Sequence, residues 1–313
     1  MKTNCAALYN HVNLRAGNEL YPCCRFKKSL GKWTEDIADA LHSPVFEHLR
    51  YRAQTEELPE CAKCFHEERI GRKSYRQWWN ENYDTSQVSL KYLLIGLDNI
   101  CNLSCDGCGP EWSSSWFKKL NPDQSVKAGY KITEIESIPE SVEFIEFQGG
   151  EPLQTSRWRD TLALHPNPNS CTVQIVTNCM HELTLEDHAV LAKFQSVKFW
   201  LSIDGFGSVN DRVRTGSEWE TVEKNALDIH SWYEAKVETT LHRNNVFDLP
   251  QLETWIGDNN LDWNVFPLTR PPHLDCAGME DKDKLIDVLN SLQYEGKARL
   301  IDHCSSKTQP WLI

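Results

Sequence analysis

The chain has no run of eighteen apolar residues, the length that a membrane-crossing helix needs. Its first residues, Met1-Lys2-Thr3-Asn4-Cys5, form no apolar signal core. Both absences make a cytoplasmic protein without a membrane partner the expectation. Basic charge is also short: 33 Lys and Arg stand against 45 Asp and Glu, a formal net charge of −12. That argues against general nucleic-acid binding, which asks for a basic surface along the phosphate backbone. The one local patch, Arg69, Arg72, Lys73 and Arg76, reads as a solvated helix face. At 313 residues, 25% charged and 40% apolar, the chain suits one large globular domain or two ordinary ones.

What is plentiful is cysteine and tryptophan, twelve of each. An even cysteine count admits a secreted disulfide framework. The missing signal core and the short, ligand-like spacings favour metal centres instead. The tryptophans read as core and pocket walls.

The densest cysteine group is Asp98-Asn99-Ile100-Cys101-Asn102-Leu103-Ser104-Cys105-Asp106-Gly107-Cys108, spaced C-x3-C-x2-C, directly after the apolar stretch Tyr92–Leu97. Soft thiolates suit an iron–sulfur cluster, and three of them leave one iron of a [4Fe–4S] cube open to an outside ligand. A zinc site or buried thiols are the alternatives; zinc wants a fourth ligand, and His66 and His165 are distant in sequence.

Apolar, β-branched runs alternate with helix-like stretches along the rest of the chain. The runs are Tyr92–Leu97, Val142–Phe147, Thr172–Thr177, Val197–Ile203, Lys236–Leu241 and Trp263–Leu268. Helices are expected near Ser113–Leu120, Thr155–Leu164, Leu185–Phe194, Glu218–Tyr233 and Leu249–Asp258, with a further one at Asp281–Leu292. Strands alternating with helices predict a parallel α/β sheet, with function gathered at the carboxyl ends of the strands. Gln148-Gly149-Gly150-Glu151-Pro152, Thr177-Asn178-Cys179 and Leu201-Ser202-Ile203-Asp204-Gly205 all fall on such ends.

On these motifs the sequence resembles the radical SAM superfamily, over residues from about Lys91 to Arg270. The resemblance implies a partial (β/α)6 barrel at 86–275, followed by a C-terminal helix and tail at 276–313. It implies a cluster on Cys101, Cys105 and Cys108 that binds S-adenosylmethionine at its open iron. Gly149, Gly150 and Glu151 would meet the methionyl end of that cofactor, glycine allowing close backbone approach. Asn178 would bond or support it. Ser202 and Asp204 are candidates for its ribose or carboxylate. Arg214, in Asn210-Asp211-Arg212-Val213-Arg214-Thr215-Gly216, would pair with the carboxylate, Arg212 being the competitor. Cys179 stands where relatives commonly carry glycine. His242-Arg243-Asn244-Asn245 and Pro267-Leu268-Thr269-Arg270-Pro271-Pro272-His273 are the loops where substrate contacts are expected.

The first 85 residues are similar to the auxiliary-cluster region of SPASM and twitch radical SAM proteins, a small cysteine-rich domain joined by a linker helix. Cys5, a hairpin at Ala16-Gly17-Asn18, Cys23, a helical stretch from Glu35 to Glu57 broken at Pro44, and Cys61-Ala62-Lys63-Cys64 follow that motif in order, but before the core rather than after it. The resemblance implies a second [4Fe–4S] cluster on Cys5, Cys23, Cys61 and Cys64. Cys24 competes with Cys23, and a four-cysteine zinc knot is the alternative. A helix from Phe65 to Tyr83 is expected to link this segment to the core. Cys171, Cys276 and Cys304 carry no motif, and the tail holds Trp311.

The activity so implied is reductive cleavage of S-adenosylmethionine to a 5′-deoxyadenosyl radical that abstracts hydrogen from a substrate C–H bond. Oxidative modification of a peptide or protein side chain is the first reading, a small metabolite or nucleotide-type substrate the second. A non-catalytic iron–sulfur or zinc protein is the third. An electron donor such as flavodoxin or ferredoxin is the implied partner.

Overall fold

A computed structural model describes residues 3–305. The tail residue Trp311 lies outside them. The strands, in chain order, are β1 (His11–Arg15), β2 (Glu19–Tyr21), β3 (Tyr92–Gly96), β4 (Ser104–Cys105), β5 (Phe144–Gln148), β6 (Thr172–Thr177), β7 (Ser196–Ser202), β8 (Arg214–Thr215), β9 (Glu234–Leu241) and β10 (Asp262–Pro267). Every strand expected of the core is present, within about two residues at each end. Helices Ser114–Leu120, Arg157–Leu162, Leu185–Leu191, Trp219–Trp232, Leu249–Asp258 and Lys282–Ser291 fall between or after them as the alternation predicts. The protein is therefore α/β, built largely of parallel strands. Among the described residues no helix is long and apolar enough to cross a membrane.

The chain divides into two compact units. The first comprises the residues up to Asn99, Tyr130–Gln174 and Glu186–Ser196. In it β1, β3 and β5 run parallel, with His11 opposite Tyr92 and Tyr92 opposite Phe144, and β2 turns back antiparallel on β1. The strand at His11–Arg15 thus pairs directly with the strand at Tyr92–Gly96. Gly17 at φ +83° and Asn18 at φ +63° make the β1–β2 turn, in the left-handed region those residue types tolerate. Cys5, Ala6, Leu8, Leu49, Leu58, Trp79, Tyr92 and Leu94 share one apolar cluster of this unit.

The linker helix differs from its expected form. It is two helices, Ala62–Arg69 and Tyr75–Asn82. Gly71 at φ +75° ends the first, and Ser74 with Gln77 forms a capping box that starts the second.

The second unit comprises Ile100–Gly129, Ile175–Leu185 and the residues from Val197 on. Here β7, β9 and β10 are parallel, while β4 and β8 form a separate two-stranded antiparallel ribbon. A further helix, Lys297–Ser305, packs on Lys282–Ser291 around Leu285, Leu289, Leu300 and Cys304.

Candidate functional site

Backbone polar groups must find partners wherever a loop cannot form secondary structure. In the cysteine loop of the second unit, three consecutive serines and a tryptophan meet that need. Ser115 Oγ donates to the Cys101 carbonyl at 2.7 Å and Ser113 Oγ to the Leu103 carbonyl at 2.6 Å. Trp116 Nε1 donates to the Cys105 carbonyl at 2.9 Å, and the Cys101 N–H donates to Ser114 Oγ at 3.1 Å. Ser113 also caps the helix Ser114–Leu120 by accepting the Trp116 N–H. Sequence reasoning passed over Ser113, Ser114, Ser115 and Trp116; their signal was a serine run at a helix start. Gly107, at φ +77°, lets the chain double back between Cys105 and Cys108.

The backbone being so occupied, the thiols are what the loop has to offer. Cys101 and Cys105 are partly exposed and Cys108 is exposed. The Leu103 N–H donates to Cys101 Sγ at 3.4 Å, the kind of bond that tunes a ligating sulfur. Burial raises the Cys105 thiol, with Arg214 acting in the opposite sense, and burial pushes Cys108 up to about 11. Thiolates here need a positive charge beside them, which a bound metal cluster or Arg214 can bring.

The ribbon of β4 and β8 sets Arg214 opposite Cys105. The Arg214 guanidinium bonds Asp204 through Nη1 and Oδ2 at 2.6 Å, with side-chain exposures of 13% and 4%. Asp204 Oδ1 accepts the Thr240 N–H at 2.7 Å. Burial acts to lower the Arg214 pKa, but Cys105 and Asp204 outweigh it and the net direction is upward. Two residues expected to meet the cofactor separately are therefore bonded to each other. Arg212 is exposed and gives Nη2 to the Asn244 carbonyl.

Asn178 donates to Asn102 Oδ1 at 2.9 Å, inside the cysteine loop, and accepts the Met180 N–H. Cys179 follows it at φ +62°, buried, a left-handed position that glycine adopts without strain. Ser202 ends β7 and is half-buried. Past β9, the His242 imidazole is wholly buried and Asn244 Nδ2 reaches Asp106 Oδ2 at 2.7 Å. The second unit thus holds Cys101, Cys105, Cys108, Asn178, Ser202, Asp204 and Arg214.

Gly149, Gly150 and Glu151 belong to the first unit. Gly149 adopts φ +126°, and a Cβ there would lie 2.4 Å from the Asp98 carbonyl oxygen, which accepts the Gly150 N–H at 2.8 Å. Glu151 is buried, and one of its oxygens accepts the Leu153 N–H, closing the turn Pro152–Gln154.

The N-terminal cysteines belong to the first unit as well. Burial pushes the Cys5 thiol up to about 12, with Cys64 adding to it, and pushes Cys61 up to about 12, with Cys5 and Cys64 adding to it. Burial also raises Cys23, with Cys24, Cys5 and Cys61 as its thiol neighbours. Backbone N–H groups of Ala7, Arg25 and Arg76 donate to Cys5, Cys23 and Cys64. Cys5 lies in the apolar cluster of this unit with Cys23 and Cys61 packed against it, and three of these sulfurs take backbone N–H groups, a soft donor set of the kind that suits a metal cluster. Cys24 is surrounded differently, by Glu146, Arg25, Arg15 and Lys63. Among the described residues no three His, Cys, Asp or Glu side chains gather around a point where one metal ion would sit.

No family model and no curated protein matches the sequence. Solved structures that resemble the fold include anSMEcpe with bound AdoMet, at 15% identity and a TM-score of 0.48, covering 67% of this chain and 62% of that one. SuiB of Streptococcus suis bound to S-adenosylmethionine overlaps at 14% identity and a TM-score of 0.41, over 64% of this chain and 46% of that one. TYW1 with a lysine–pyruvate adduct overlaps at 16% identity and a TM-score of 0.37, over 64% and 70%. The chain spans less than two thirds of the length of the first two.

Proposed function

We propose that the chain is a radical SAM enzyme, a partial (β/α)6 barrel that oxidatively modifies a peptide or protein side chain. The observation that carries the reading is the cysteine loop: its carbonyls are tied down by Ser113, Ser115 and Trp116 while three soft donors are left for a metal. When bound on Cys101, Cys105 and Cys108, a [4Fe–4S] cluster with S-adenosylmethionine on its open iron supplies the 5′-deoxyadenosyl radical and so the C–H abstraction.

This chain's own residues contribute position and charge. Arg214 sits across the ribbon from Cys105 and offers the cation that a cluster of thiolates and a cofactor carboxylate both favour. Asp204 holds that guanidinium in place and is itself anchored by the Thr240 N–H. Asn178, bonded to Asn102, ties the end of β6 to the loop. Gly149 leaves the end of β5 bare of a side chain, where cofactor backbone contacts belong. Cys5, Cys23, Cys61 and Cys64 would hold a second cluster, which would supply an acceptor for the electron that the substrate gives up, and a donor such as flavodoxin or ferredoxin would supply the reducing electron. Cys23, not Cys24, is the ligand in this assignment, because Cys23 is the one that faces Cys5 and Cys61.

Anaerobic reconstitution tests the proposal. The protein should bind about eight irons per chain and, with a strong reductant, convert S-adenosylmethionine to 5′-deoxyadenosine. Replacing Cys101, Cys105 and Cys108 together by alanine should abolish that product; its persistence defeats the assignment. Cys23→Ala should lower the iron count to about four while Cys24→Ala keeps about eight, and the reverse outcome moves the ligand to Cys24.

A further inference from the structure

Beside the turn that joins β1 to β2, the first unit holds a cavity of about 300 Å³, the lower end of the range that ligand pockets occupy. Its floor is apolar: Leu14 is 1% and Ile37 4% exposed. One wall is the half-buried indole of Trp33, whose ring meets no other ring and no cation among the described residues. Glu35, Glu134 and Glu136, all exposed, join the lining. None of these three carboxylates has a hydrogen-bond or ion-pair partner among the described residues.

The walls are set without a ligand. Asn18 Nδ2 donates to the Glu134 carbonyl at 3.2 Å, and the Glu134 N–H donates to Asn18 Oδ1 at 3.1 Å. Ser137 Oγ donates to Asp36 Oδ1 at 2.7 Å, joining the two segments of the lining, and Trp33 Nε1 donates to the Asp36 carbonyl at 3.2 Å. The Ala38 N–H and that serine hydroxyl hold the Asp36 carboxyl below the usual carboxylate range, so it is ionised as well. Among the described residues no lysine, arginine or histidine lines the cavity. A fixed apolar floor under an unmatched indole face calls for an organic stem, and the unmatched carboxylates call for a positive charge at its end. Among the described residues no three acidic side chains gather where one metal ion would sit, so the arrangement suits a broad organic cation instead.

We infer that this cavity binds a lysine or arginine side chain of a peptide, its methylenes on Leu14, Ile37 and the Trp33 ring and its cation among Glu35, Glu134 and Glu136. The side chain is long enough to reach an apolar floor and keep its charge at the wet rim, as such residues do on protein surfaces. Charge complementarity selects it over a neutral stem, and the floor and indole select it over a small cation. That the side chain belongs to the peptide being modified rests on the reading proposed above; the cavity and the class it takes do not.

The test uses the full-length, anaerobically reconstituted protein labelled with fluorotryptophan, the Trp33 resonance being the one lost in Trp33→Leu. The probes are acetyl-Gly-Lys-Gly-amide, acetyl-Gly-Arg-Gly-amide, the norleucine peptide that keeps the stem without the charge, and methylammonium, which has the charge without the stem. A basic peptide should move the Trp33 resonance saturably, while norleucine peptide and methylammonium each bind at least about tenfold more weakly. Glu35→Gln, Glu134→Gln and Glu136→Gln together should weaken the basic peptide about tenfold. Trp33→Leu, followed by calorimetry, should weaken it about threefold. These side chains are at the surface, so the variants should melt with the unaltered protein, and Glu140→Gln, an exposed acid outside the lining, should leave binding unchanged. Equal binding of lysine and norleucine peptides, an effect of Glu140→Gln as large as that of the triple variant, or no saturable response up to about 10 mM overturns the inference. Formation of 5′-deoxyadenosine is measured in the same samples. Basic peptides that bind a protein unable to make it leave the cavity assignment standing and sink the radical-enzyme reading; the opposite pair of results does the reverse.

Discussion

Replacing Arg214 by methionine removes one partner of a buried ion pair and keeps most of the side chain's volume. The pair is closed at 2.6 Å, and Asp204 is left with side-chain exposure of only 4% and no cation on Oδ2. Breaking such a pair destabilises a protein by about 3–5 kcal/mol, because an uncompensated charge stays buried. Asp204 keeps the Thr240 N–H at 2.7 Å, so the low end of that range, about 3 kcal/mol, is expected. At about 2 °C or more per kcal/mol for a chain of this size, the melting midpoint should fall by about 6 °C. Asp204→Asn on top of Arg214→Met removes both charges, and the double variant should recover to within about 1 kcal/mol of the unaltered protein. Thermal and urea melts followed by tryptophan fluorescence and circular dichroism measure this, with the two units fitted as separate transitions where the probes diverge. A loss under about 1 kcal/mol for Arg214→Met would mean a screened surface pair and refute the reasoning. A double variant as unstable as the single one would assign the loss to packing rather than charge.

Two further outcomes follow from the first unit. Gly149→Ala should destabilise by about 2 kcal/mol or more, since φ +126° is strained for any side chain and the new Cβ would meet the Asp98 oxygen at 2.4 Å; a melt within about 0.5 kcal/mol of the original would contradict it. Burial holds the His11 pKa at about 4 against 6.5, so the unfolded chain binds the extra proton as the pH falls between those values. Stability from this group is therefore complete above about pH 6.5 and declines by roughly 3 kcal/mol down to pH 4, and His11→Phe should flatten that part of the stability–pH curve.

Much of the local structure was legible because it is written in local pattern. The β-branched run Thr172–Thr177 and the helix Leu249–Asp258 fall where periodicity places them. Pairing was not legible. His11–Arg15 reads as a strand on its own, but its parallel partner begins at Tyr92, and no spacing in the sequence ties the two together. The ribbon of Ser104–Cys105 with Arg214–Thr215 is too short to have any period, so its function of aligning Arg214 with a cysteine emerges only in space. The choice between Cys23 and Cys24 is of the same kind: adjacent residues point different ways, and only their neighbours tell them apart. The break in the linker helix was readable from Gly71 and the Ser74–Gln77 capping box, and a run of polar helix formers masked it.

The serine run bears on why a three-cysteine loop can be a stable piece of protein before any metal arrives. A loop whose shape came from its metal alone would leave its carbonyls to water in the empty state. Here the carbonyls of Cys101, Leu103 and Cys105 each have a side-chain donor from a single helix start, so the loop's path is set by Ser113, Ser115 and Trp116. The thiols take no part in those bonds; Cys101 Sγ accepts the Leu103 N–H and Cys108 Sγ donates to the Gly109 carbonyl. Separating the groups that shape a loop from the groups that ligate is what preorganises a metal site: the scaffold holds the donors near their final geometry, and less ordering is charged against binding. The same division explains the placement of Arg214, whose backbone pairs in the ribbon at Cys105 while its guanidinium is fixed by Asp204.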